Sequence, residues 1–133
     1  MTRNEARENM MQIMYELDAS KSMTVENALK LTEQRLSGGH KKRGGSLLCG
    51  IIENIEHIDS IINASSNSWK TARMPKVDLA IMRLALGEIF YCDDIPKAVS
   101  INEAINLAKK YSTEQSSRFI HGLLGAAIKS NEK

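Results

Sequence analysis

"VDLAIMRLALGEI", residues 77–89, is the stretch that decides the fold, because very little of it is polar. Its apolar residues recur at the spacing of one helix face: Val77, Ala80, Ile81, Leu84, Ala85 and Ile89. Pro75 suits the first turn of such a helix, and the "DDIP" that begins at Asp93 suits its end. A helix with so few polar positions is expected to lie at the centre of the protein, with the other helices packed around it.

Further apolar stripes with helical spacing lie on both sides of this segment. Capping residues mark the helix starts that we predict: Thr2 with Glu5, Thr24, Ser100 with Glu103, and Ser112 with Gln115. Strand-like alternation and βαβ units are absent from the sequence, and no glycine motif follows a strand. We therefore predict an all-α fold of six or seven helices, in one domain over residues 1–133.

Three interruptions of the helical pattern are predicted. The glycine-rich "SGGHKKRGGS", residues 37–46, is predicted to be a mobile loop. The longest apolar stripe, residues 47–62, is predicted to bend near Asp59. "NASSNSW", residues 63–69, is predicted to be a break in which Trp69 anchors a short segment.

The charges of the chain are segregated along its length. The net charge of +2 is too small to indicate a nucleic-acid partner by itself. However, residues 1–50 hold 8 Lys/Arg and 6 Asp/Glu, residues 51–96 hold 4 and 7, and residues 97–133 hold 6 and 3. Basic ends and an acidic middle are compatible with two different partners, but segments of this size also differ this much by chance.

Several functional classes find no support in the sequence. Cys49 and Cys92 do not make a disulfide framework, and they form no metal-ligand cluster with the three scattered histidines. Asp93 and Asp94 are adjacent in a turn, which is the wrong geometry for a catalytic carboxylate pair. No apolar run approaches the roughly 20 residues that span a bilayer. We expect a cytoplasmic protein with no enzymatic activity, no cofactor, no metal and no membrane contact.

Phe119 is the first candidate for a binding residue. On a helix over residues 113–128, the apolar stripe centres near Ile120, and Phe119 lies at its edge, where a ring is half exposed. The ring either packs under the neighbouring helix or stacks on an unpaired base. In the second case Arg118, Lys109 or Lys110 is close enough in sequence to contact phosphate.

The N-terminus offers a second candidate. Arg3 and Arg7 are one turn apart at the positive end of a helix dipole, which suits phosphate. The alternative is a solvated helix start in which Glu5 and Glu8 are local ion-pair partners. The basic run "HKKR", residues 40–43, is either a solvated loop or an RNA contact.

Four blocks together resemble a known family. They are "ARENMMQIMYELD" (residues 6–18), "VDLAIMRLALGEI" (77–89), "DIPKAVSINEAINLAKKY" (94–111) and "SSRFIHGLL" (116–124). Their order and spacing are similar to those of the NusB family of bacterial transcription antitermination factors. The resemblance implies seven helices in two packed bundles and no catalysis. It also implies binding of single-stranded boxA RNA together with NusE, a small-subunit ribosomal protein, and readthrough by RNA polymerase, notably in rRNA operons.

The resemblance also assigns roles to residues. It places RNA contacts at the N-terminal arginines and around the aromatic of "SSRF", where Gln115 stands in place of an Asp and so removes a repulsion. Together with the pattern above, the predicted RNA-binding residues are Arg3, Arg7, Lys109, Gln115, Arg118 and Phe119. The resemblance also places Tyr15 and Asp78 on the surface that faces NusE and next to it, so both are predicted to contact this partner. Asp78 belongs to the acidic middle segment, which suits a basic ribosomal protein. Members of the family occur as monomers and as dimers, so a homodimer is a further expectation.

Two other readings of the sequence remain open. NusB-like helical domains also occur as accessory modules of ribosomal RNA methyltransferases, although no Rossmann-like portion follows within these 133 residues. A helical scaffold that binds only protein, with merely solvated basic patches, is the second. A scaffold of that kind would not distinguish boxA RNA from a scrambled strand.

Overall fold

The computed structural model describes residues 1–67 and 69–131, so Ser68 and the last two residues of the predicted 1–133 domain lie outside it. The described residues form seven α-helices and one 3-10 turn, with no strand. The helices are α1 (Arg3–Ala19), α2 (Val25–Arg35), α3 (Gly39–Glu53), α4 (Ile55–Ser65), α5 (Lys76–Tyr91), α6 (Lys97–Tyr111) and α7 (Glu114–Ser130). The predicted all-α fold is confirmed.

Helix α5 lies at the centre, as its apolar sequence predicts. Every residue from Asp78 to Ile89 is buried, and α5 packs against α1, α3, α4, α6 and α7. Helices α1, α2 and α3 pack on one another on one side of α5, and α4, α6 and α7 form the second bundle with it. A Cβ at Gly87 would lie 2.4 Å from Cγ1 of Ile51, so this glycine lets α3 cross α5 closely.

Two predicted helix starts are confirmed. At α1 the backbone N–H of Glu5 donates to Oγ1 of Thr2 over 3.1 Å, and the Glu5 carboxylate accepts from the Thr2 N–H over 2.8 Å. At α2 the Thr24 hydroxyl accepts from the Asn27 N–H over 3.2 Å. Each bond satisfies a donor that the helix leaves unpaired at its N-terminus.

The two capping boxes predicted later in the chain are wrong. Helix α6 begins directly after Pro96, and Ser100 is a buried residue inside it. At α7 the cap is Thr113, whose hydroxyl accepts from the Ser116 N–H over 2.9 Å. Gln115 is therefore an exposed first-turn residue with no part in a capping box with Ser112.

The glycine-rich segment predicted as a mobile loop is helical from Gly39 onward. Gly38 alone in it has a positive φ, at 58°, which forms the turn into α3. A Cβ at Gly44 would lie 2.4 Å from Cδ1 of Leu36 and 3.3 Å from Sδ of Met10. Gly44 is thus required for close packing against neighbouring residues, which explains why the prediction from glycine content was wrong.

The bend that the sequence predicts near Asp59 lies five residues earlier, at Asn54. The chain breaks at Asn54, which ends α3 and precedes α4. Asp59 lies within α4, where its carboxylate accepts two hydrogen bonds of 2.9 and 2.7 Å from the guanidinium of Arg83. This ion pair joins α4 to α5.

Candidate RNA-binding surface

The first turns of α7 present a mixed polar and aromatic surface. Gln115 and Arg118 are exposed, Phe119 is partly buried, and Ile120 is fully buried in the core. Phe119 therefore lies at the edge of the apolar stripe, where the sequence places it. A ring in this position is held by the core on one side and reaches solvent on the other.

Trp69 lies beside Phe119. The two ring centroids are 6.0 Å apart and the ring planes are inclined at 53°, which is a tilted aromatic pair. The side chain of Trp69 is 45% exposed. Sequence reasoning treated Trp69 only as an anchor for its own segment, and no local pattern connects it with a helix so distant in the chain.

The end of α6 carries the lysines that the sequence proposed for phosphate. Lys110 donates from Nζ to Oε1 of Glu8 over 2.7 Å, and the Tyr111 hydroxyl donates to Oε2 of the same carboxylate over 2.8 Å. The bond from Lys110 and then the bond from Tyr111 lower the pKa of Glu8. Lys109 is exposed and forms no ion pair within the described part of the chain.

Arg7 does not present its guanidinium to solvent. Its Nε lies 2.9 Å from Oε2 of Glu88 and its terminal nitrogen 3.1 Å from Oε1, and both residues are buried. Ser100 donates a third hydrogen bond to Glu88, over 2.9 Å. This geometry shows that Arg7 is neither a surface phosphate contact nor part of a solvated pair with Glu5 or Glu8, so both predictions for it are wrong. Arg7 joins α1 to α5, and Ser100 joins α6 to the same carboxylate.

Arg3 is exposed at the rim of a cleft of about 470 Å³ between the starts of α1, α3 and α6. His40 and Arg43, from the basic run of residues 40–43, line the same cleft. Arg43 donates to both carboxylate oxygens of Asp94, over 2.7 and 2.9 Å. These hydrogen bonds are the largest cause of the lowered pKa of Asp94, to which the charge of Arg3 adds.

The two residues predicted to contact a protein partner differ in accessibility. Tyr15 is 38% exposed on α1. Asp78 is only 1% exposed, and its Oδ2 accepts a 2.7 Å hydrogen bond from the hydroxyl of Ser116. Asp78 is therefore not accessible for the direct partner contact that the sequence predicts. Asp78 instead connects the start of α5 to the first turn of α7.

Other kinds of site receive no support from the described residues. Residues 1–67 and 69–131 contain no group of three or more His, Cys, Asp or Glu placed to hold a metal ion. None of the helices in these ranges is both long enough and apolar enough to cross a membrane. The arrangement that stands out is the ring pair with Arg118 and Gln115 on α7.

The fold and this surface define an all-α, two-bundle protein with the rings and cations of a nucleic-acid-binding module. The model of the NusB family matches residues 4–129, and the chain belongs to that family. The transcription antitermination protein NusB of Pelotomaculum thermopropionicum is 40% identical over 135 residues, which cover 100% of this chain and 93% of that protein.

Solved structures agree with the family assignment. NusB of T. maritima superimposes with a TM-score of 0.87 at 28% identity, over 97% of this chain and 92% of that chain. A chain in a crystal structure of antitermination factors NusB and NusE in complex with dsRNA gives a TM-score of 0.83, over 96% of both chains. At 23% identity, this second likeness concerns the fold.

Proposed function

We propose that this protein is a transcription antitermination factor that binds boxA-type single-stranded RNA together with the ribosomal protein NusE. In this role it promotes readthrough by RNA polymerase, notably in rRNA operons. It acts in the cytoplasm as a single domain, residues 1–133, without enzymatic activity or cofactor. The observation that carries the proposal is the partly exposed ring of Phe119 beside Arg118 on α7, within the residues that the model of the NusB family matches.

The RNA-binding part of the proposal uses residues that reach the surface at the C-terminal end of α6 and in the first turns of α7. Phe119 offers a ring face to an unpaired base, and Arg118 and Lys109 offer cations to the adjoining phosphates. Gln115, in the first turn of α7, adds an amide that donates and accepts hydrogen bonds and carries no charge to repel RNA. Arg3 supplies a further cation at the start of α1.

The NusE-binding part of the proposal uses the exposed ring of Tyr15. Tyr15 lines a shallow groove between the second half of α1 and the start of α2, with Leu17 and Leu31. An exposed aromatic ring at the edge of an apolar groove is typical of an interface anchor. Tyr15→Ala is expected to weaken NusE binding while the helical content is unchanged.

The test is the binding of a fluorescent boxA RNA and of a scrambled strand of equal length, at one fixed salt concentration, with and without NusE. We expect a preference for boxA that increases when NusE is added. Equal affinity for both strands in both conditions would contradict the proposal and favour the protein-binding scaffold. Salt must be held constant because phosphate contacts make affinity strongly salt-dependent.

A further inference from the structure

The ring of Trp69 is exposed although its backbone is firmly held. The Trp69 N–H donates to the Ser66 hydroxyl over 3.1 Å, and that hydroxyl in turn donates to the Trp69 carbonyl. Lys70 donates from Nζ to the carbonyl of Asn63 over 2.9 Å, and the Asn63 side chain accepts from the Thr71 N–H over 2.8 Å. These bonds fix the segment to the end of α4, so the position of the ring beside Phe119 is organised before any ligand binds.

The two segments that carry the rings contain no carboxylate. Residues 60–77 include Lys70, Arg73 and Lys76 and no Asp or Glu, and residues 115–128 include Arg118 and no Asp or Glu. Of the acids that flank the two segments, Asp59 is paired with Arg83 and Asp78 is buried, so Glu114, in the first turn of α7, is the exposed one. The three cations of the first segment and Arg118 outnumber it. An exposed ring beside a partly exposed one, in such surroundings, suits a ligand that is both flat and anionic.

We propose that Trp69 is a further RNA-binding residue and forms, with Phe119, a two-ring platform for neighbouring unpaired bases of the RNA. Because the ring planes are inclined at 53°, one base cannot lie flat on both rings, so each ring takes its own base. The proposal rests on the function proposed above and extends its binding surface from α7 to the segment after α4. A single-stranded RNA is favoured over a protein partner because cations outnumber exposed carboxylates in and beside the two segments that carry the rings.

The first test uses the chain's own tryptophan. Trp69 is the only tryptophan, so its fluorescence reports on this site alone. In a titration of the full-length protein with boxA RNA, stacking is expected to quench the emission, with a midpoint equal to that of an independent binding measurement. Saturated boxA binding with unchanged Trp69 emission would overturn the platform and leave the proposed function intact.

The second test pairs ring deletion with base deletion. Each nucleotide of the boxA RNA is replaced in turn by an abasic one, which keeps its phosphate, and each RNA is measured against the wild type and Trp69→Ala. We expect Trp69→Ala to weaken binding roughly 5- to 150-fold, the range that corresponds to one stacked base. For one abasic RNA, the wild type and Trp69→Ala should bind with equal affinity, since the ring of Trp69 then has no base to contact.

Controls separate the platform from a structural role. Trp69→Phe keeps a ring and should retain most of the affinity, and Tyr91→Ala removes another exposed ring, at the end of α5, and should leave it unchanged. A loss in Trp69→Ala that is the same for every abasic RNA would overturn the proposal. A loss of NusE binding with unchanged RNA affinity would also overturn it, in favour of a protein contact. Failure of the wild type to bind boxA would remove the proposed function itself.

Discussion

The guanidinium of Arg7 lies against the carboxylate of Glu88 in two hydrogen bonds of 2.9 and 3.1 Å, and both side chains are buried. This pair, with Ser100, connects three helices at one carboxylate. Because Arg7 is buried in this pair and Arg3 is exposed, the two arginines of α1 have different roles. Arg7 stabilises the fold, and Arg3 is available to a ligand.

Arg7→Met is expected to lower the free energy of unfolding by about 3–5 kcal/mol, because it leaves the Glu88 charge buried without its partner. Urea unfolding followed by circular dichroism measures this loss. Arg3→Met is the matched control and should change stability by less than about 0.5 kcal/mol, since Arg3 is exposed. Equal losses in the two variants would contradict the structural role of Arg7.

Gly44→Ala is expected to destabilise the protein by about 1–3 kcal/mol, because the added methyl group overlaps Leu36 and Met10. Gly39→Ala, in the same helix, is the control, since a Cβ there meets nothing within 4 Å. Thermal unfolding of both variants distinguishes the two positions. If Gly44→Ala unfolded at the same temperature as Gly39→Ala, the segment would be the loose loop that its glycine content suggests.

Glu8 should contribute to stability in a pH-dependent way. Its pKa is lowered in the folded protein by the hydrogen bonds from Lys110 and Tyr111. The stabilisation is therefore present above the unfolded pKa and is lost as the pH falls through the folded one. We expect Glu8→Gln to cost up to about 1 kcal/mol at neutral pH. The cost should shrink as the pH falls through the lowered pKa of folded Glu8, and a cost that stayed constant from neutral into acidic pH would argue against the ion pair.

Arg3→Ala is expected to reduce the salt dependence of RNA binding, because one cation in contact with phosphate releases about one counterion. The slope of log affinity against log salt concentration should fall by about one unit. Lys129→Ala removes an equal charge in the last turn of α7, at the opposite end of that helix from Gln115 and Arg118, and serves as the control. Identical slopes for Arg3→Ala and the wild type would exclude this contact.

Local chemistry explains which parts of the fold could be predicted from the sequence. The buried helix α5 and the caps at Thr2 and Thr24 depend on residues close together in the chain, and the sequence alone predicts them correctly. The start of α6 was misplaced because Ser100 and Glu103 match the capping-box spacing by coincidence. Pro96 begins that helix one turn earlier, and Ser100 is used by the distant Glu88.

The candidate site was predicted in part, and the errors have a common cause. Arg7 is 81 residues from Glu88, so nothing near Arg7 indicates that its charge is already paired. Asp78 likewise meets Ser116 only in the folded protein. The exposure of Phe119 followed from its angle on the helix, but its neighbour Trp69 comes from a separate segment. Helical periodicity gives the direction of a side chain and does not give its partners.

The central claim is that the ring of Phe119 binds RNA. The most direct measurement is the boxA affinity of Phe119→Ala against that of Tyr91→Ala, at one salt concentration, with thermal unfolding of both variants as a check on folding. We predict that Phe119→Ala loses about 1–3 kcal/mol of binding free energy while Tyr91→Ala binds as the wild type does. Equal affinities in the two variants, with both folded, would contradict the account.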